Sequence, residues 1–160
     1  MSYILIIGAK SDIAKATARE YAKHGYDLYL AARNVSELEE FANDVTVRTQ
    51  RAVKILELDI LDYKSHQSFY DQLEEKPLGV ISAIGYLGEQ EKAQSDFEEA
   101  QQIMDANYTG VVSLFNIERD DLSDLSPLYV IETLEKLDKE GTLKRKIMDE
   151  TSLIFKSLLY

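Results

Sequence analysis

The stretch Tyr3-Ile4-Leu5-Ile6-Ile7-Gly8-Ala9-Lys10-Ser11-Asp12-Ile13-Ala14 runs from an apolar segment through one glycine into a polar turn that opens an amphipathic segment. An apolar run of this length, closed by a glycine, reads as a buried strand over Tyr3 to Ile7. Ile13, Ala16, Thr17 and Tyr21 then recur at helical spacing until His24-Gly25 ends the helix. Gly8 lets the backbone turn tightly, and the free N–H groups of the helix start offer a dipole-assisted cradle for a diphosphate. A plain capped turn has much the same composition, because Asp12 and Ala14 stand where further glycines would make the phosphate reading specific.

Working outward, the alternation of apolar runs with amphipathic stretches continues. Asp27 to Ala32 reads as a second strand, followed by a helix capped by Asn34 or Ser36 and running through Leu38, Phe41, Ala42 and Val45. Val53, Ile55, Leu56 and Leu58 make a third strand ending at Asp59, and Tyr63 to Leu73 a third helix. After Pro77 and Gly79 comes a short fourth strand, Val80 to Ala83, then a helix or helix pair from about Asp96 through Phe115. Right-handed crossovers place these strands in the order 3-2-1-4, an α/β parallel sheet flanked by helices.

Composition narrows the function classes. The 160 residues, 45% hydrophobic, suit one globular unit. A net charge of −11 argues against a nucleic-acid partner, since phosphate backbones are bound by clustered Lys and Arg. With no cysteine there is no disulfide framework, thiolate nucleophile or cysteine metal site, which fits a cytoplasmic protein. The apolar start is too short to span a membrane and lacks a signal peptide's basic region, so the chain reads as mature and soluble. His24 and His66 have no carboxylates at metal-ligand spacing, so surface or capping roles are expected and no metal site. The acidic clusters Glu37-Glu39-Glu40 and Glu89-Glu91 read as solvated faces.

Three further features join the first turn. Gly8 to Ala14 resembles the G-x-x-x-G-x-G loop of the short-chain dehydrogenase/reductase family in its G-A-x-S-D-I-A form. Leu58-Asp59-Ile60 resembles the acidic residue after strand three that faces the adenine, and Ser82-Ala83-Ile84-Gly85 stands where the family has N-N-A-G. Asn107, in Asn107-Tyr108-Thr109-Gly110, matches the helix asparagine of the active-site tetrad. Separately, Asp59 reads equally well as a strand-end cap, Gly85 as a turn glycine and Asn107 as a solvated helix residue. It is their order and spacing together that favour the resemblance. It implies a Rossmann-like dinucleotide-binding region over residues 1–117, with Gly8, Lys10, Ser11, Asp12, Ile13, Arg33, Asn34, Asp59, Ile60, Ala83, Ile84 and Gly85 at the cofactor and Asn107 as the residual catalytic position.

In such a site, an acid at the end of strand two accepts hydrogen bonds from the ribose hydroxyls of NAD and repels a 2′-phosphate. This chain has Ala31-Ala32-Arg33-Asn34 there, with no acid and a guanidinium that can fork onto the phosphate of NADP; Lys10 adds a second cation. NADP is therefore favoured over NAD, the alternative being an Arg33 that merely pairs with Glu37.

The resemblance also implies a tyrosine acid, a lysine four residues on and a serine, and the chain contains no Tyr-x-x-x-Lys. From Glu118 the character changes to a charged, low-glycine tail that reads as a helical hairpin over 118–160. Ser126-Pro127 starts one helix with Leu128, Ile131, Leu134 and Leu137 on a face, and Leu143, Ile147, Ile154, Phe155 and Leu158 share a face of the second. The stripes are expected to cover the folded unit, with a homodimer face through 128–158 as the alternative role. The expectation is an NADP-binding, oxidoreductase-derived chain lacking the catalytic serine and tyrosine, or else a non-catalytic sensor, interaction or chimeric module on the same scaffold.

Overall fold

The computed structural model describes residues 2–118. The expected tail hairpin, its packing on the unit and the dimer face over 128–158 lie outside the described residues.

Four parallel strands, β1 (Tyr3–Ile7), β2 (Asp27–Ala32), β3 (Val53–Glu57) and β4 (Gly79–Ser82), form one sheet in the order β3-β2-β1-β4. All of β1 and β2 is buried, while β3 and β4, at the sheet edges, are partly covered. That gradient is why β1, and β2 after its first residue Asp27, are continuous apolar runs: a strand covered on both faces has no polar side to alternate. Ile7 pairs with Ala31 on one side and Ser82 on the other, and Ala32 pairs with Glu57, which brings the carboxyl ends of all four strands to one edge. Each fully buried Leu or Ile here contributes about 1.5–3 kcal/mol, so Leu5, Ile6, Ile7, Leu28 and Leu30 anchor the unit.

The helix after β1, α1 (Asp12–Lys23), buries Ala14, Ala18, Tyr21 and Ala22. The expected face was Ile13, Ala16, Thr17 and Tyr21; only Tyr21 is on it, and Ile13 is 75% exposed. The small alanines let the helix approach the sheet closely, and rotating the helix onto that stripe turns Ile13 out to solvent. His24 caps the helix, its Nδ1 donating to the Glu20 carbonyl at 2.8 Å.

The second crossover opens with a 3-10 turn, Val35–Leu38, before α2 (Glu39–Thr49). Neither expected cap serves: Asn34 is left-handed (φ 54°, ψ 59°) and makes no side-chain cap bond. The Glu57 carboxylate caps the turn from β3, accepting the Asn34 N–H at 2.8 Å and the Val35 N–H at 3.2 Å. β3 ends at Glu57, two residues before the expected Asp59.

The third helix, α3 (His66–Asp71), is shorter than its sequence pattern. His66 at its start is fully buried, contrary to the surface role expected, with Nδ1 3.1 Å from Ser113 Oγ. Burial holds its pKa below the ordinary 6.5, because the charged imidazolium is the form that desolvation penalises. After β4 come the single-turn α4 (Gln90–Ala93), α5 (Phe97–Met104), a π-helical turn Asp105–Thr109, and α6 (Gly110–Glu118). Of the helix or helix pair expected from about Asp96 through Phe115, the pair is found, α5 and α6 joined through the π turn. Gly110 follows it at a point where a Cβ would collide with the Ile60 carbonyl. No helix among the described residues is long and apolar enough to cross a membrane, and no described His, Asp and Glu group is placed to hold a metal ion.

Candidate functional site

A cleft of about 570 Å³ opens at the carboxyl edge of the sheet, where the turns after all four strands meet. Crevices at this edge of an open parallel sheet are where such folds bind ligands.

One wall is made by the turns after β1, β2 and β3. Gly8 has φ +75°, and its N–H and that of Ala9 donate to the Ala31 carbonyl at 2.9 and 3.1 Å, locking the first turn to the end of β2. A Cβ on Gly8 would lie 2.7 Å from the Ala83 carbonyl carbon and oxygen. The glycine is therefore required twice over, by its positive φ and by the close approach of the β4 turn. Ser11 caps α1, its Oγ accepting the Ala14 N–H at 3.1 Å. The other N–H groups of that first turn have no acceptor within the helix.

Gly8, Lys10 and Ser11 line the cleft, as do Arg33 and Asn34. Asp12 and Ile13 do not; both point to solvent outside it. Lys10 Nζ pairs with Glu37 at 3.0 Å, so the expected alternative of Glu37 paired to Arg33 is replaced by a different partner. Arg33 is exposed and has no carboxylate partner among the described residues. Asp59 and Ile60 also line the cleft, and Asp59 Oδ1 accepts the Leu61 N–H at 3.0 Å, a local turn bond.

The opposite wall is the segment after β4. Ala83, whose N–H donates to the Ile7 carbonyl at 2.8 Å, leads into Ile84, Gly85 and Tyr86, all on the cleft. Asn107 is not on the cleft surface; it stands behind this wall in the π turn. Its amide grips the Tyr86 backbone at both ends, Oδ1 accepting the N–H and Nδ2 donating to the carbonyl, each at 2.7 Å. Glu99 completes the clamp. It is 6% exposed, and Oε1 accepts the Glu89 N–H at 3.0 Å and the Tyr86 hydroxyl at 3.3 Å while Oε2 lies 3.4 Å from Lys92 Nζ. The Glu89 N–H, ahead of the other donors, holds this carboxyl below the usual carboxylate range, and burial beside it pushes the Tyr86 hydroxyl up.

The sequence reading missed Glu57, Leu61, Tyr86, Gln102 and Ala106 on the cleft and Glu99 behind it. Glu57 carries no local signal, since its partners are 22 and 23 residues away and become neighbours only through strand register. Glu99 carries no local signal either, since it meets Tyr86 and Glu89, 13 and 10 residues earlier, only through the path of the loop after β4.

Comparison with known proteins agrees with this architecture. The profile of the short chain dehydrogenase family matches residues 2–121. An uncharacterized oxidoreductase of Mycobacterium tuberculosis is 33% identical over 114 residues, covering 69% of this chain and 45% of the relative. Among solved structures, an alcohol dehydrogenase of the archaeon Thermococcus sibiricus complexed with 5-hydroxy-NADP superposes with a TM-score of 0.65 at 28% identity, covering 78% of this chain and 54% of the other. A short-chain dehydrogenase of Sphingobium yanoikuyae in complex with NADPH shares the fold, with a TM-score of 0.68 at 22% identity over 78% of this chain and 49% of the other. The chain spans less than half the length of the curated relatives it matches and about half that of these solved structures.

Proposed function

The chain belongs to the short-chain dehydrogenase family, and on that premise we propose that its cleft binds NADP, with Arg33 receiving the 2′-phosphate, and that the residues in hand hold and orient the cofactor without supplying the proton donor of carbonyl reduction. The observation that carries the cofactor choice is Arg33. It follows the last residue of β2 directly, lines the cleft and has no carboxylate partner among the described residues. A planar guanidinium with free donors matches a phosphate bidentately and with opposite charge, an interaction that a ribose hydroxyl does not offer.

The cleft also fits the rest of a dinucleotide. Its volume of about 570 Å³ falls within the range of small-molecule and cofactor sites. Gly8 brings the β1 and β4 turns together with no side chain between them, at the mouth of a capped helix start suited to a diphosphate. When bound, the cofactor supplies or accepts hydride at its nicotinamide. That the similar archaeal alcohol dehydrogenase is complexed with 5-hydroxy-NADP supports the same class of ligand. Against turnover by these residues alone stands the absence of any Tyr-x-x-x-Lys in the 160-residue sequence, since a positioned acid is typically worth about a hundred- to ten-thousandfold in rate.

Fluorescence or calorimetric titration tests the reading. NADPH is expected to bind about tenfold more tightly than NADH, the size of one charge-assisted phosphate contact of about 1.5 kcal/mol. Equal affinities or a preference for NADH overturn the choice of NADP, and binding of neither overturns the dinucleotide site.

A further inference from the structure

We propose that Glu57 is a specificity-determining carboxylate of the cleft, acting from β3 at the position where β2 itself ends without an acid. The inference rests on the cleft being a dinucleotide site and goes beyond Arg33 as its sole determinant.

Read along one strand, the end of β2 is Ala31-Ala32-Arg33, uncharged until the arginine. Read across the sheet, Ala32 pairs in register with Glu57, so an acid stands laterally at the end of β2 although none is there in sequence. Its carboxylate reaches over the strand end, Oε1 taking the Asn34 N–H at 2.8 Å and Oε2 the Val35 N–H at 3.2 Å. Glu57, Arg33 and Asn34 all line the same cleft, and Glu57 is exposed to it.

Two consequences follow from that placement. The first is mechanical. The carboxylate satisfies the two N–H groups that open the 3-10 turn and holds Asn34 left-handed, a conformation asparagine tolerates better than most residues. This fixes the direction in which the chain leaves Arg33. The second is electrostatic. A full negative charge is bonded to the peptide next to Arg33, and each carboxylate oxygen, having accepted one N–H, keeps a further lone pair. A ribose 2′-hydroxyl can donate to it; a 2′-phosphate is repelled by it. Arg33 and Glu57 thus pull cofactor choice in opposite directions, and Glu57 caps how far the site discriminates against NADH.

Glu57→Gln separates the two roles, because it removes the charge while leaving a side chain of the same shape and one acceptor oxygen. Glu57→Ala removes both. Affinities for NADPH and NADH, measured by fluorescence titration at low salt and at 1 M salt, give the ratio that reads the proposal. Glu57→Gln is expected to raise the NADPH-to-NADH affinity ratio roughly threefold to fivefold at low salt, the scale of an exposed charge interaction. The gain should shrink at 1 M salt, where the screening length is about 3 Å. Glu57→Ala is expected to weaken both cofactors through the uncapped turn while still raising the ratio.

If Glu57 is only a cap, Glu57→Gln leaves the ratio unchanged at either salt and both affinities move in parallel; that result overturns the proposal. Arg33→Met distinguishes its failure from failure of the NADP reading. Loss of NADPH preference in Arg33→Met with an unmoved ratio in Glu57→Gln leaves the NADP reading standing and removes Glu57 from it. A wild-type protein without preference that gains one in Glu57→Gln does the reverse. Binding of neither cofactor by the wild type overturns both.

Discussion

The two walls of the cleft are built on different principles. The wall after β1, β2 and β3 is fixed by backbone geometry and by charges at the surface: Gly8 bonded to Ala31, Lys10 paired with Glu37, Glu57 capping the turn after β2. The wall after β4 is fixed from behind by two side chains of the helical segment, Asn107 on the Tyr86 backbone and the buried Glu99 on Tyr86 and Glu89. Charges on the first wall remain solvent-accessible and free to answer a ligand. Those on the second are consumed in holding a loop. Selectivity is therefore expected to respond to substitutions on the first wall, and stability to substitutions behind the second.

Gly8 is where the walls touch, and its replacement should have the largest effect. In Gly8→Val a Cβ would be forced to within 2.7 Å of the Ala83 carbonyl, and a β-branched residue would occupy φ +75°. The backbone conformation alone costs about 1–3 kcal/mol, before the collision is relieved by parting the two turns. Loss of measurable dinucleotide binding and a fall in melting temperature of about 8 °C or more are expected. A variant that binds with wild-type affinity would show that the walls do not depend on this contact.

How much of this was readable in advance follows the same division. The strand order was legible because β1 is uniformly apolar, β2 is apolar after its first residue Asp27, and Gly8 and Gly25 punctuate them, so periodicity and crossover handedness had little freedom. Gly8, Arg33 and the segment Ala83 to Gly85 were legible because each is tied to a strand end. The face of α1 was not, Tyr21 apart: the other residues it buries are alanines, which a hydrophobicity pattern ranks below Ile13. Glu57 and Glu99 were illegible for a deeper reason. Their partners are distant in sequence and are chosen by register and by the path of a loop, neither of which local composition encodes. His66 failed likewise, its burial being decided by α6 closing over it at Ser113.

Behind the second wall, Glu99→Gln is expected to have an intermediate effect that depends on pH. The folded protein holds the Glu99 carboxyl below its ordinary value, chiefly through the Glu89 N–H, so the folded state binds this proton less readily than the unfolded chain does. The stabilisation is present above the ordinary carboxylate value of about 4.3–4.5 and is lost as pH falls through the lower folded value. At neutral pH the variant should melt roughly 3–6 °C below wild type, and the gap should close as both are acidified below pH 4.5. Thermal melts from pH 3 to 7 check it. A constant gap across that range would mean that Glu99 acts through shape alone, and that the second wall is not held by charge.

The smallest effect on stability, and the sharpest test of the contrast, belongs to Glu37→Gln on the first wall. Glu37 is 61% exposed in its side chain and Lys10 34%, and such surface pairs typically contribute about 0–1 kcal/mol. The melting temperature should therefore move by no more than about 2 °C. Binding is a different matter, because the substitution releases Lys10, a cation on the rim of the cleft, from its counter-ion. A ligand bearing more negative charge gains more from that release, so NADPH affinity should rise by about two- to threefold, NADH affinity by less, and both gains should fade with added salt. If Glu37→Gln instead lowers the melting temperature as much as Glu99→Gln and leaves both affinities unchanged, the Lys10–Glu37 pair is a structural strut, and the division between a responsive wall and a braced one fails at the residue where it predicts most.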